Sequence, residues 1–215
     1  MAVHFEDDRV RIHKIVASPF DNNAYIIVCK ATGKSLIVDT PRDADLVLAE
    51  AAGTDVTAVA ITHGHRDHIE GYDAFRAGLT APIGLHRDDT PRLAPNAPEF
   101  HLEDGETLQV GELTLDLLHT PGHTPGGVCL LLDNHLFSGD TLFPGGPGKT
   151  QTPEALAQVI ESITTRLFTL PDDTAVYPGH GADTTIGDAK EEYADFAGRP
   201  HAPDLCGDVL WRGDK

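Results

Sequence analysis

Four apolar runs in this chain each end in a short loop that carries imidazole or carboxylate groups, and any fold it adopts has to account for all four. Residues 56–61 lead into Thr62-His63-Gly64-His65-Arg66-Asp67-His68, which packs three imidazoles and a carboxylate into six residues. Residues 113–118 lead into His119-Thr120-Pro121-Gly122-His123, residues 136–138 into Gly139-Asp140-Thr141, and residues 175–177 into Pro178-Gly179-His180-Gly181. Loops held at strand ends by a rigid scaffold are common sites of chemistry, and glycines beside each candidate permit close backbone approach. Residues two apart in an extended segment share a side, so His63 and His65 can reach one ion together. Asp67 and His68, beyond the bend, can then face a second ion. Nitrogen and oxygen donors suit zinc, manganese or iron better than thiolate-loving centres. A lone loop histidine is ordinarily a surface residue, but four donors within six residues at a strand end weigh against that explanation.

Composition narrows the function class. A chain of 215 residues fits one substantial domain, read here as residues 1–215, long enough to bury both faces of a sheet. The formal charge of −18 repels phosphate backbones, which argues against nucleic acid as a partner. No run approaches a membrane span, and residues 1–9 lack the apolar stretch of an export signal, so neither a membrane nor secretion is expected. Cys29, Cys129 and Cys206 are an odd, widely spaced set, the pattern of reduced thiols in a cytoplasmic protein. The first two lie in apolar runs and read as core; Cys206 lies in the tail and reads as more exposed.

Residues 10–15 alternate as a half-buried strand, and 24–29 with 36–38 read as a hairpin. Residues 43–52 read as a helix ended by Gly53, and 69–77 as another short helix. Residues 87–99 have three prolines and little periodicity, reading as a surface excursion. Two hairpins follow, 107–110 with 113–118 and 128–132 with 136–138, then a glycine-rich loop over 139–148. The clearest helix has Thr152 as N-cap and Pro153 at its first turn, with Leu156, Ile160, Ile163 and Leu167 on one face. Residues 185–196 read as helical, and Trp211 in the tail as folded back onto the body. Strands in two groups, each followed by helices, suit two packed sheets with helices outside.

Asp39 at a strand end, the 63–68 cluster, His123, Asp140 and His180 occur in the order found in metallo-β-lactamase superfold hydrolases, which the chain resembles over nearly its whole length. The resemblance implies an α/β fold, a four-layer αββα sandwich of two mixed sheets, with two divalent ions at one edge. Carried over position by position, His63, His65 and His123 would bind one ion, Asp67, His68 and His180 the other, and Asp140 would bridge them. Zinc is the favoured ion, with iron or manganese compatible. Asp39 would steady ligands by hydrogen bonds. His119 competes with His123 as a ligand; His123 follows the glycine as the family pattern does, and His119 is assigned a supporting place behind the ligands.

Within the superfold, Gly139-Asp140-Thr141-Leu142-Phe143, Gly145-Gly146, Lys149 and Pro178-Gly179-His180-Gly181 resemble glyoxalase II and its short hydroxyacylglutathione-hydrolase-like relatives. This implies hydrolysis of a small-molecule acyl thioester, such as S-2-hydroxyacylglutathione, by a hydroxide held on the ions. Asp67 and Asp140 are the catalytic candidates, and Lys149 is the candidate for holding a substrate carboxylate. A mononuclear-iron persulfide dioxygenase and a lactone or β-lactam hydrolase are the alternative readings. The 35 residues after His180 leave no expected room for a separate glutathione-binding domain. Glu70 stands where a glycine is common after the cluster.

Overall fold

The computed structural model describes residues 3–17 and 20–212. Met1 and Ala2, part of the amino-terminal stretch read for an export signal, lie outside them. The first half of the chain builds strands β1 (Val3–Glu6), β2 (Val10–Ala17), β3 (Asn22–Cys29) and β4 (Lys34–Val38), helix α1 (Ala44–Ala51), β5 (Asp55–Ala60), helices α2 (Arg66–Ile69) and α3 (Tyr72–Gly78), and β6 (Ile83–Gly84). The second half builds β7 (Thr107–Val110), β8 (Leu113–His119), β9 (Val128–Leu132), β10 (His135–Gly139), β11 (Leu142–Phe143), β12 (Gly146–Pro147), α4 (Pro153–Ser162), β13 (Ala175–Pro178), β14 (Thr184–Thr185) and α5 (Ile186–Ala197).

Two six-stranded sheets result, ordered β1-β2-β3-β4-β5-β6 and β14-β13-β10-β9-β8-β7. Both are mixed: β4, β5 and β6 run parallel, as do β10 and β13, while the other pairings are antiparallel. Strand β3 shows how the layers arise. Every residue of β3 is buried, and its alternating side chains serve two cores. Tyr25, Ile27 and Cys29 meet Leu115, Leu117, Leu130 and Phe137 of the facing sheet. Ala24, Ile26 and Val28 pack with Val47 and Phe75 of α1 and α3 on the outside. A third core joins the outer face of the second sheet to α4, α5 and the fully buried Trp211. The αββα arrangement expected from the resemblance is therefore the one observed. Cys29 and Cys129 are buried, and Cys206 is partly exposed.

Local chemistry explains several element boundaries. Thr152 caps α4, its hydroxyl accepting from the Ala155 amide at 3.2 Å, and Thr185 caps α5 by accepting from Asp188. Leu156, Val159, Ile163 and Leu167 form the buried side of α4 and the wider turn after it, whereas Ile160 is only partly buried. Three details depart from the expected layout. The helix expected over 69–77 is two helices, because the Gly71 amide leaves the helical ladder to bond the Thr40 carbonyl at 2.9 Å. The loop expected over 139–148 contains the short β11–β12 ribbon. Residues 3–6, Val-His-Phe-Glu, form an edge strand through pairing with β2, outside the expected layout. Among the described residues, no helix is long and apolar enough to cross a membrane.

Parallel pairing positions the site. Parallel neighbours deliver their C-terminal ends to the same sheet edge, so β4 and β5 bring Asp39 beside Thr62, and β10 and β13 bring Asp140 beside His180. Two backbone bonds then stitch the sheets at that edge: Asn23 N–H to the Gly179 carbonyl at 2.7 Å and Val128 N–H to the Thr62 carbonyl at 2.9 Å.

Candidate metal centre

Seven side chains from four loops converge at this edge: His63, His65 and His123 form one group, Asp67, His68 and His180 another, and Asp140 stands with His63 and His68 in a third. His65 Nδ1 lies 2.8 Å from His123 Nε2, and His68 Nε2 lies 3.1 Å from His180 Nε2. Asp67 Oδ2 is 3.1 Å from His180 Nε2 and 3.6 Å from His68 Nε2. Asp140 Oδ2 is 3.5 Å from both His123 Nε2 and His180 Nε2. Donors about a tetrahedral ion with bonds of roughly 2.0–2.1 Å stand some ~3.3 Å apart, so these spacings are of the right size.

Four of the five imidazoles are aimed by what their other nitrogen does. His68 Nδ1 donates to Asp39 Oδ2 at 2.9 Å, His123 Nδ1 to the Lys149 carbonyl at 2.8 Å, and His180 Nδ1 to the Phe20 carbonyl at 2.8 Å. His63 Nδ1 lies 3.2 Å from Thr62 Oγ1, which itself donates to Asp39. Holding the outer nitrogen protonated leaves the inner lone pair free for an ion, as metal-binding histidines need. Buried His63 Nε2 and Asp140 Oδ1 have no hydrogen-bond partner among the described residues. A buried polar atom left in this way is costly, and a cation between them would satisfy both. The donor set fits divalent metal.

Electrostatics points the same way. Burial works against charge on His68, yet Asp140 and Asp39 outweigh it and push the imidazole up to about 9. Burial likewise opposes charge on His180, but Asp140 and Asp67 push it up to about 10. Burial would raise the Asp67 carboxyl, and His180 and His68 hold it well below its ordinary value instead. His63 is held well down by burial and by the neighbouring imidazoles, and His65 falls to about 4 through burial and His123. The carboxylates thus call for positive charge on the Asp67–His68–His180 side, the place an ion would occupy.

Some residues that the sequence did not mark support the site. Asn22 donates to Asp67 Oδ2 at 3.0 Å. Fully buried Asp89, inside the excursion over 87–99, accepts from Gly64 N–H at 2.7 Å through Oδ2 and from Gly126 N–H at 3.0 Å through Oδ1. It thereby ties the loop of His63 and His65 to that of His123. Neither residue carried a local signal beyond being polar, since each acts across a long stretch of chain. His119 lies elsewhere: its ring stacks on His86 at 4.1 Å and its Nε2 meets the Pro125 carbonyl at 2.9 Å. Lys149 lines the cleft beside the donors, its Nζ 3.6 Å from Asp208 Oδ2. Glu70 accepts from Arg42 at 2.9 Å and Arg66 at 3.1 Å, on the outer side of the cluster.

Known proteins share this architecture. Residues 17–180 match the Metallo-beta-lactamase superfamily. The chain is 36% identical over 167 residues to a hydroxyacylglutathione hydrolase of Polaromonas sp., covering 75% of this chain and 62% of that protein. It is 31% identical over 164 residues to the human mitochondrial persulfide dioxygenase ETHE1, covering 73% of this chain and 62% of that protein. The chain thus spans a little under two thirds of the length of these relatives. Its structure resembles that of TTHA1623 in a di-iron-bound form with a TM-score of 0.69 and 30% identity, over 81% of this chain and 95% of that one.

Proposed function

This chain belongs to the metallo-β-lactamase superfamily, and from that premise we propose that it is a two-metal hydrolase of acyl thioesters of the hydroxyacylglutathione-hydrolase type. The observation that carries this reading is the place of Asp140, 3.5 Å from an imidazole nitrogen of each three-residue set. A carboxylate shared between two sets suits a pair of ions held side by side. His63, His65 and His123 would hold one, and Asp67, His68 and His180 the other. When bound, such ions lower the pKa of water toward neutrality and polarise an acyl carbonyl. Zinc is our assignment, and iron or manganese would suit the same donors.

The chain's own groups do the rest. Asp67, fixed by Asn22 at 3.0 Å and still partly open to solvent, is placed to accept the proton released as water is activated. Asp39 keeps His68 presenting Nε2 inward. Phe143, Pro144 and Pro147 give the cleft an apolar wall beside His123, Asp140 and His180, against which an acyl group can settle.

Identity to a persulfide dioxygenase keeps a second reading alive, oxidation of a persulfide at one iron. The full second donor set favours two ions over one. Metal analysis of the purified protein together with a thioester-cleavage assay decides: two ions per chain and thioester turnover are expected. One iron per chain, oxygen uptake with glutathione persulfide and intact thioesters would overturn the hydrolase reading.

A further inference from the structure

Resting on the thioester reading, we propose that tail residues 206–211 form the carrier-side wall of the cleft and select acyl thioesters whose thiol carrier is compact and uncharged. The tail is stitched to the cleft loop. Thr150 and Gly207 exchange backbone bonds of 3.1 and 2.9 Å, and Trp211 N–H donates to the Gly145 carbonyl at 2.8 Å. Trp211 is fully buried, with its ring against Phe168 and Tyr193, and Arg199 bonds its carbonyl. From behind, Glu192 Oε2 accepts the Gly145 amide at 2.7 Å. The wall is therefore built before substrate arrives, which removes an ordering cost from binding.

Size and charge then describe what fits. The cleft offers 290 Å³ and opens to solvent, bounded on the tail side by Asp208, Val209 and Leu210. That lies at the small end of ligand pockets, which run from about 300 to 1,000 Å³. Leu210 presents apolar surface there and is 60% exposed. Among the described lining residues, Lys149 is the one lysine or arginine, and Asp208 faces its ammonium at 3.6 Å. Outside the donor set, the lining therefore carries no net charge. A carrier with an excess of carboxylates would find no unmatched lysine or arginine among the described lining residues, and it would approach a chain of formal charge −18. At physiological salt that repulsion acts within about 8 Å, the distance over which a cleft is felt.

The test compares one acyl group on two carriers with the metal-loaded full chain: S-acetyl-N-acetylcysteamine, compact and neutral, against S-acetylglutathione, bulkier and anionic. The expected kcat/KM is about tenfold or more in favour of the neutral carrier, carried mainly by KM because carrier contacts are alike in ground and transition states. Asp208 is 77% exposed along its side chain, so D208N should fold and narrow the ratio severalfold by freeing Lys149. Equal or reversed preference overturns the proposal, as does a D208N ratio that does not move. Turnover of neither carrier removes the thioesterase reading itself, a result distinct from a reversed preference.

Discussion

The Asp39 carboxylate receives the Nδ1 proton of His68 at 2.9 Å while also accepting the Thr62 amide at 2.7 Å. One buried acid thus sets both the strand end that starts the His63 loop and the tautomer of His68. Asp39 has a backbone φ of 66°, in the left-handed region that asparagine also tolerates. D39N should therefore keep the fold but set an amide N–H against His68. Affinity for the ion on the His68 side is expected to fall about 10- to 100-fold, measured by competition with a calibrated chelator. Wild-type affinity in D39N would contradict this role.

Asp140 touches both donor sets, so its loss should affect both ions at once. D140A is expected to lose turnover and most metal while circular dichroism stays native. H65A should also lose turnover and metal, the depletion beginning with the ion of His63 and His123. Full activity in either variant, read by elemental analysis and thioester assay, would count against the site.

Asp89 accepts one amide from each of two donor-bearing loops. D89A leaves two buried N–H groups without an acceptor, at about 1–3 kcal/mol each. Urea unfolding should show a loss of that order, and the metal-loaded variant should release ion from the His63–His65–His123 set faster than wild type. A variant as stable as the parent would show that water or a neighbour takes over both amides.

Gly179 sits directly behind the ligands. A Cβ there would overlap Asp140 Oδ1 and reach within 2.7 Å of His68 Cε1, so no side chain fits without moving a donor. Displacing reacting groups by an ångström can cost about 10²-fold in rate. G179A is accordingly expected to lose at least that much kcat/KM, with metal content reduced in parallel.

His86 is 4% exposed and stacked on His119. Burial first, and the neighbouring imidazole second, hold its pKa below the ordinary value. The unfolded chain therefore binds a proton near pH ~6.5 that the folded chain refuses, so stability is full above that pH and declines as pH falls through it. Urea midpoints of the metal-loaded protein measured down to acid pH should fall less steeply in H86Q than in wild type. Parallel profiles would show that His86 does not contribute.

Much of the site was legible because the information is local. An apolar run followed by a glycine-flanked histidine or aspartate marks a strand end with a candidate donor; His63, His65, His123, Asp140 and His180 carry that mark, and Asp67 and His68 follow within the 63–68 cluster. The same locality left His119 and His123 on nearly equal footing. The family pattern favours His123, and the chain path turns at Gly122 to bring His123 beside His65 and leave His119 against His86. Asn22, Asp89 and Asp208 carry no comparable signal, because each acts through partners at least 25 residues away.

Sequence by itself indicated two packed sheets with helices outside, since hydrophobic alternation is written in neighbouring residues, and the resemblance to metallo-β-lactamase hydrolases supplied the seven candidate donors. Tertiary structure alone decided which candidate donors share a space, which carbonyl or carboxylate holds His68, His123 and His180, and that residues 208–210 line the cleft. Those relations arise from parallel strands ending at a common edge and from backbone bonds between distant loops, which a linear pattern does not contain.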